Sequence, residues 1–88
     1  MDKTRLVNLA TDLMIKQIYS GTNCSVSSHL NEQEKQSIEL THYDSRYHFG
    51  NRSLYIFEWQ SDEKIVNTFE QMKDVIAGER SITNEWNT

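Results

Sequence analysis

The sequence predicts a small α+β domain in which two helices pack on one face of an antiparallel sheet, in the order α-β-β-α. Apolar residues recur at helical spacing near both ends of the chain, and apolar and polar residues alternate in its middle. The 88 residues (1–88) are enough for one hydrophobic core and therefore for a single domain, with 79–88 as a polar tail.

The first helix is predicted from about Lys3 to Tyr19. Its apolar residues fall at positions 6, 7, 9, 10, 13, 14 and 18, which cover about half of a helical circumference. Ile15 and Tyr19 lie outside this stripe, and Gly21 supplies the residue that ends the helix. Such a broad stripe is typical of a helix buried between neighbours, and one face of a dimer seam is the alternative.

The connection over residues 21–36 is polar and contains only Val26 and Leu30 as aliphatic residues. It is predicted to lie mostly on the surface. Two local structures remain open within it. One is a short extra strand at 24–30, and the other is a helical turn that begins at Asn31, with Glu34 completing a capping box.

The middle of the chain is predicted to form a hairpin, with an extended arm at 37–49 and a two-residue turn at Gly50-Asn51. In that register Phe49 would face Arg52, and Tyr47 would face Leu54. One side would then collect Tyr43, Tyr47, Phe49, Leu54 and Ile56. The other would collect His42, Arg46, His48, Tyr55, Phe57 and Trp59, joined by Ile38 and Leu40 if the arm is unbroken. A bulge around Asp44-Ser45 would reverse part of this assignment.

The second helix is predicted to begin after Ser61, a good N-cap, and to end at Gly78. Asp62 and Glu63 favour its first turn because the helix dipole attracts carboxylates there. Its apolar stripe is Ile65, Val66, Phe69, Met72, Val75 and Ile76. The tail that follows is polar except for Ile82 and Trp86, and Trp86 could dock back on the domain or anchor a partner.

The segment 52–60 points most directly to function, because a strand there is apolar on both faces. The helices can cover only one face, so the other needs a second cover or stays exposed as a patch, and such patches mark interfaces. The patch is predicted to be either Tyr43, Tyr47, Phe49, Leu54 and Ile56 or, if the helices choose that side, Tyr55, Phe57 and Trp59. Trp86 is a further candidate interface residue.

Composition and charge also favour a partner and disfavour nucleic acid. Hydrophobic residues make up 36% of the chain, and nine basic residues stand against thirteen acidic ones, for a net charge of −4. This charge repels phosphate backbones unless the basic residues cluster, and they do not. The acidity is concentrated at the C-terminal end, where a solvated helix face explains it and mimicry of nucleic-acid phosphates is an alternative.

No catalytic, cofactor or metal motif is present. His42 and His48 would lie about 20 Å apart along one strand, too far to share an ion. Cys24 has only His29 as a nearby base and lacks an oxyanion loop, and three glycines leave no phosphate-cradling motif. The single cysteine and the lack of a signal segment predict a reducing cytoplasmic location, and no apolar run is long enough to span a membrane.

These observations favour a non-enzymatic intracellular protein-binding module that acts as a small regulator or inhibitor, as a homodimer, or as both. Small, acidic chains without catalytic motifs are also typical of virus-encoded inhibitors that occlude a host protein surface. The alternative is a nucleic-acid-binding module that stacks bases on the aromatic strand face, bordered by Arg46, Arg52 and His48. A small enzyme is a third hypothesis. No cofactor, metal or membrane partner is expected.

Overall fold

The computed structural model of the chain describes residues 3–30, 33 and 35–82. The elements are α1 (Lys3–Ser20), β1 (Cys24–Leu30), β2 (Gln36–Tyr43), β3 (Asn51–Phe57) and α2 (Asp62–Ile76). The predicted α+β class and the packing of the helices on a small antiparallel sheet are confirmed. The extra strand at 24–30 is present, so the order is α-β-β-β-α.

The sheet is antiparallel throughout and has the order β1-β2-β3. β2 is central, and its Leu40 lies opposite Val26 of β1 and Leu54 of β3. Ile38 lies opposite Ile56, so aliphatic side chains of adjacent strands form one continuous apolar face.

The predicted register of the hairpin is wrong. β2 ends at Tyr43, which pairs with Asn51, and residues 44–50 form the connecting loop instead of a two-residue Gly50-Asn51 turn. The Asp44 carboxylate accepts hydrogen bonds from the backbone amide and the guanidinium of Arg46, and the Asp44 amide donates to the Gly50 carbonyl. These local bonds close a longer loop, with Gly50 at a positive φ of 79°.

This register changes which side chains share a face. Ile38 and Leu40 lie with Leu54 and Ile56, and not with Tyr55 and the other rings. The faces predicted for an unbroken arm are therefore reversed. The reversal arises at residues 44 and 45, where a bulge was the stated alternative and where the structure has a loop.

Both helices cover the aliphatic face. α1 packs on β1 and contacts β2, α2 packs on β3, and the helices contact each other. Leu13, Ile65 and Met72 reach the core from the helices and are completely buried. The apolar stripes of the two helices are only partly buried. Four residues that were predicted to face the core are exposed: Val7, Met14 and Ile18 of α1 and Val66 of α2.

The ends of α2 follow the predicted signals. The Ser61 hydroxyl accepts a hydrogen bond from the Lys64 amide, and Asp62 and Glu63 occupy the first turn. Gly78 follows the helix at a positive φ of 79°, where a side chain would be strained. The alternative turn at Asn31 and Glu34 and the predicted role of Trp86 fall on residues outside the described ranges.

Tyr47 joins the loop, the sheet and the start of the C-terminal segment. Its buried hydroxyl accepts a hydrogen bond from the Ile82 amide at 2.7 Å and lies 2.7 Å from Nδ1 of His42. Arg52 donates to the Ile82 carbonyl and lies over the Tyr47 ring. Ile82 is thereby buried against the core.

We expect Tyr47→Phe to lower the free energy of unfolding by about 1–3 kcal/mol, because it leaves the buried Ile82 amide and His42 ring nitrogen without their partner. Urea denaturation followed by circular dichroism measures the change. Tyr43→Phe is the matched control, since it removes a hydroxyl from an exposed ring. Equal stability of the two variants would contradict a structural role for the Tyr47 hydroxyl.

Candidate functional site

The sheet face opposite the helices is the candidate functional site, and we call it the open face. Because side chains alternate along a strand, it carries the odd-numbered residues of all three strands. They are Ser25, Ser27 and His29 of β1, Ser37, Glu39, Thr41 and Tyr43 of β2, and Asn51, Ser53, Tyr55 and Phe57 of β3, with Trp59 just beyond.

Three rings on this face form what we call the aromatic stack. Tyr55 and Phe57 lie 5.6 Å apart between ring centroids with 13° between their planes, and Phe57 and Trp59 lie 5.2 Å apart with 16° between theirs. Tyr55 is 41% exposed and Trp59 is 65% exposed. Phe57 lies between the two exposed rings, so the stack presents an apolar surface that the described part of the chain leaves partly uncovered.

A carboxylate lies beside the stack. Glu39 accepts a hydrogen bond from the Tyr55 hydroxyl at 2.8 Å, and its other oxygen lies 2.7 Å from Nε2 of His29. Burial alone would raise the pKa of Glu39, but the hydrogen bonds from Tyr55 and His29 outweigh it and lower that pKa below its ordinary value. Glu39 is therefore an anion at neutral pH, held in place by its neighbours.

The open face carries no strong cation to balance Glu39. Within the three strands, all of which the structure describes, the only lysine or arginine is Arg52, which pairs with His42 on the helix-covered face. Arg46 lies in the 44–50 loop, where its guanidinium binds Asp44 and keeps the pKa of that carboxyl well below its usual range. Arg52 therefore does not border the rings as predicted, and Arg46 belongs to the loop at the other end of β3 from Phe57 and Trp59.

The structure separates the two predicted patches. Tyr47, Leu54 and Ile56 are buried, so the set that contained them is not an exposed patch. The helices lie on the side of Leu54 and Ile56, which leaves Tyr55, Phe57 and Trp59 on the open face. Tyr43 is on the same face but lies at the other end of β2, opposite Asn51, and Phe49 lies in the loop at that end, 84% exposed and edge-on to His48.

Sequence reasoning missed Glu39 and His29 as parts of this site. They come from different strands and meet only because His29 lies opposite Ser37, which is two residues from Glu39 along β2 and on the same face. The one available signal was that Glu39 alternates with Ile38 and Leu40, which puts it on the face away from the core.

Alternative chemistries find little support in the described residues. Cys24 is buried on the helix-covered face, where burial raises the pKa of its thiol, whereas His29 lies on the open face. In the described ranges no group of three or more histidine, cysteine or acidic residues could hold a metal ion. No described helix is both long and apolar enough to cross a bilayer.

Comparison with known proteins finds no matching family model, no matching curated protein and no matching solved structure.

The stability of the folded chain at low pH should depend on the hydrogen bonds of Glu39 with Tyr55 and His29. Because the pKa of Glu39 is lower in the folded chain than its ordinary 4.5, its contribution to stability is complete above about pH 4.5 and is lost as pH falls through the folded pKa. We expect wild type to lose about 1 kcal/mol more than Glu39→Gln between pH 6 and pH 3, the size of a typical hydrogen-bond contribution.

Urea denaturation at each pH measures this difference. Glu70→Gln is the control, since Glu70 is an exposed carboxylate on α2 whose ion pair with Lys73 is solvated. If the free energies of unfolding of wild type and Glu39→Gln fell in parallel with pH, the hydrogen bonds of Glu39 would not stabilise the fold.

Proposed function

We propose that this chain is a non-enzymatic intracellular protein-binding module that acts as a small regulator or inhibitor by covering a partner protein's surface with its open face. The observation that carries the proposal is the exposed aromatic stack of Tyr55, Phe57 and Trp59. Aromatic residues dominate the energetics of protein interfaces, and contiguous exposed apolar patches are uncommon on surfaces without a binding role.

The chemistry of the open face favours a partner that is apolar with a basic rim. The exposed ring of Trp59 attracts a guanidinium or ammonium group by cation–π interaction, and the Glu39 carboxylate beside Tyr55 attracts a cation at the other end of the stack. The net charge of −4 also steers basic partners toward the chain.

The same charges disfavour a second copy on this face. Stacking two open faces would bring the Glu39 carboxylate of each copy toward the other in a desolvated interface, and no lysine or arginine of the strands lies there to compensate. The proposed occupant of the open face is therefore a different protein.

Binding of single-stranded nucleic acid is the second candidate, and the exposed ring of Trp59 at the end of the stack favours it. Successive bases stack on such rings in many sheet-based nucleic-acid binders. The anionic Glu39 and the lack of a strand lysine or arginine on the face oppose it, because phosphate contacts supply most of the affinity in such complexes.

Capture from the cells that express the chain tests the proposal. Wild type, Trp59→Ala and Val66→Ala serve as baits, the last because Val66 is an exposed apolar residue on α2, away from the open face. We expect a protein that is retained by wild type and Val66→Ala, lost from Trp59→Ala and insensitive to nuclease. Retention by Trp59→Ala would contradict the proposal, and loss on nuclease treatment together with steep weakening by salt would favour nucleic acid.

A further inference from the structure

The outer edge of β1 lacks a partner in the described part of the chain, where β1 pairs only with β2. The strand has seven residues, Cys24–Leu30, and contains no lysine, arginine, acidic residue, proline or glycine. Natural sheets usually protect an exposed edge with such residues, because an open row of amides and carbonyls pairs with other chains. This edge is therefore competent for pairing.

The pattern of hydrogen bonds between β1 and β2 shows which backbone groups of β1 face the open edge. The Tyr43 amide donates to the Asn23 carbonyl, one step beyond the Cys24–His42 pair. Because hydrogen-bonded and non-hydrogen-bonded pairs alternate in an antiparallel ladder, odd-numbered residues of β1 bond to β2. The amides and carbonyls of Val26 and Ser28 therefore point to the open edge.

An exposed apolar stripe of α1 lies above the same edge. Val7, Met14 and Ile18 are spaced by seven and four residues, so they share one side of the helix, and Val7 and Ile18 are 61% and 71% exposed. A groove of about 320 Å³ separates this side of α1 from the sheet, with Val7 on the helix and Ser28 of β1 among its lining residues. The stripe therefore faces the β1 side of the domain.

Leu30 adds to this surface. It lies on the helix-covered face, as Val26 does, but it is 60% exposed, so the described residues leave it open at the end of β1. An aliphatic residue on the covered face, left open at the edge, is typical of a sheet that continues into a neighbour.

We propose that a second copy of this chain occupies the edge, with β1 of the two copies paired antiparallel about a twofold axis through Ser27. The joined sheet then has six strands, and both α1 helices lie on the same side of it. The axis brings the two Val7, Met14 and Ile18 stripes together. The seven-residue β1 is about 23 Å long and the 18-residue α1 about 27 Å. The second copy would therefore cover β1 and α1 along similar lengths.

The axis through Ser27 is the one that pairs all seven strand residues. It sets Val26 opposite Ser28 of the other copy, so the free backbone groups of these residues bond to each other. It also sets Leu30 opposite Cys24 of the other copy on the helix-covered face. Ser27 of one copy lies opposite Ser27 of the other, and the two form a non-hydrogen-bonded pair.

Charge permits a second copy at this place. A chain of net charge −4 repels its copies, but β1 has no lysine, arginine or acidic residue, and on α1 Arg5 pairs with Asp62 and Lys16 with Asp12. The described part of this side therefore carries little net charge, and two copies approach there with little repulsion. The aromatic stacks on β3 stay free at the far edges of the joined sheet, so this inference does not depend on the function proposed for the open face.

Cross-linking tests the axis. In Ser27→Cys the two introduced thiols would face each other at the Cα spacing of a non-hydrogen-bonded pair, about 4.5 Å, which a disulfide spans. Ser25→Cys is the control, since Ser25 is also exposed on the same face but would lie opposite His29 of the other copy. Wild type reports any reaction of the buried Cys24.

With oxidised glutathione at low protein concentration, we expect Ser27→Cys to form covalent dimer at least tenfold faster than Ser25→Cys. Non-reducing electrophoresis and mass spectrometry follow the product. Equal rates for the two variants, or no dimer from either, would overturn the proposed pairing.

Edge hydrogen bonding gives a second test. Ser28→Pro removes an amide that points outward and takes no part in the β1–β2 ladder, whereas Ser28→Val keeps that amide. We expect Ser28→Pro to raise the dimer dissociation constant roughly tenfold or more, since one edge hydrogen bond is lost from each copy, and Ser28→Val to change it little.

Sedimentation equilibrium over a concentration series measures the constant, and circular dichroism confirms that both variants are folded. A wild-type chain that stays monomeric up to millimolar concentration would overturn the proposal, as would a Ser28→Pro variant that is folded and dimerises like wild type.

Discussion

Replacing Leu40 with alanine is expected to lower the free energy of unfolding by about 3–4 kcal/mol, a large share of the roughly 5–15 kcal/mol typical of native proteins. Leu40 is completely buried in the central strand, between Val26 and Leu54 and beneath the helices. Both neighbouring strands and both helices are held around this position, so a cavity there cannot close without moving several elements.

Urea denaturation followed by circular dichroism measures this loss. Val66→Ala, which truncates an exposed aliphatic residue on α2, is the control and should stay within about 0.5 kcal/mol of wild type. A loss below 1 kcal/mol for Leu40→Ala would mean that the pairing of Leu40 with Leu54 does not lie at the centre of the core.

Replacing Trp59 with alanine is expected to weaken binding of the partner roughly 30-fold or more, since a central aromatic residue typically contributes 2 kcal/mol or more to an interface. Trp59 is 65% exposed, so the fold should lose no more than about 1 kcal/mol, mainly from its contact with Phe57. Trp59→Phe keeps an aromatic ring in the stack and should show a smaller loss of affinity.

Isothermal titration calorimetry with the captured partner measures the affinities, and circular dichroism monitors the fold. Val66→Ala is again the control for an exposed apolar residue outside the open face. Unchanged affinity in folded Trp59→Ala would remove the aromatic stack from the binding site.

The helices were predictable because local signals define them. The Ser61 cap, the acidic first turn and Gly78 mark the ends of α2 without reference to the rest of the chain. The depth of burial was less predictable. Val7 and Ile18 belong to the predicted apolar stripe of α1, but no described element covers these two residues. Helical periodicity does not show how much of an apolar stripe the domain can bury.

The hairpin register could not be predicted from turn propensity. Gly50-Asn51 has the composition of a tight turn, but the Asp44–Arg46 hydrogen bonds and the buried Tyr47 hydroxyl stabilise a longer loop. Loop closure here depends on a contact between residues 35 positions apart, the hydrogen bond from the Ile82 backbone amide to the Tyr47 hydroxyl. Such contacts form only in the folded domain.

Sequence alone decides that Tyr55 and Phe57 share one side of β3 and that Leu54 and Ile56 share the other, because the pleat of a strand has a period of two. Tertiary structure decides which side the helices cover. The longer loop aligns Ile38 and Leu40 with Leu54 and Ile56, and this larger aliphatic surface is the one that gains most from burial under α1 and α2. The rings beside Glu39 are left facing solvent as a result.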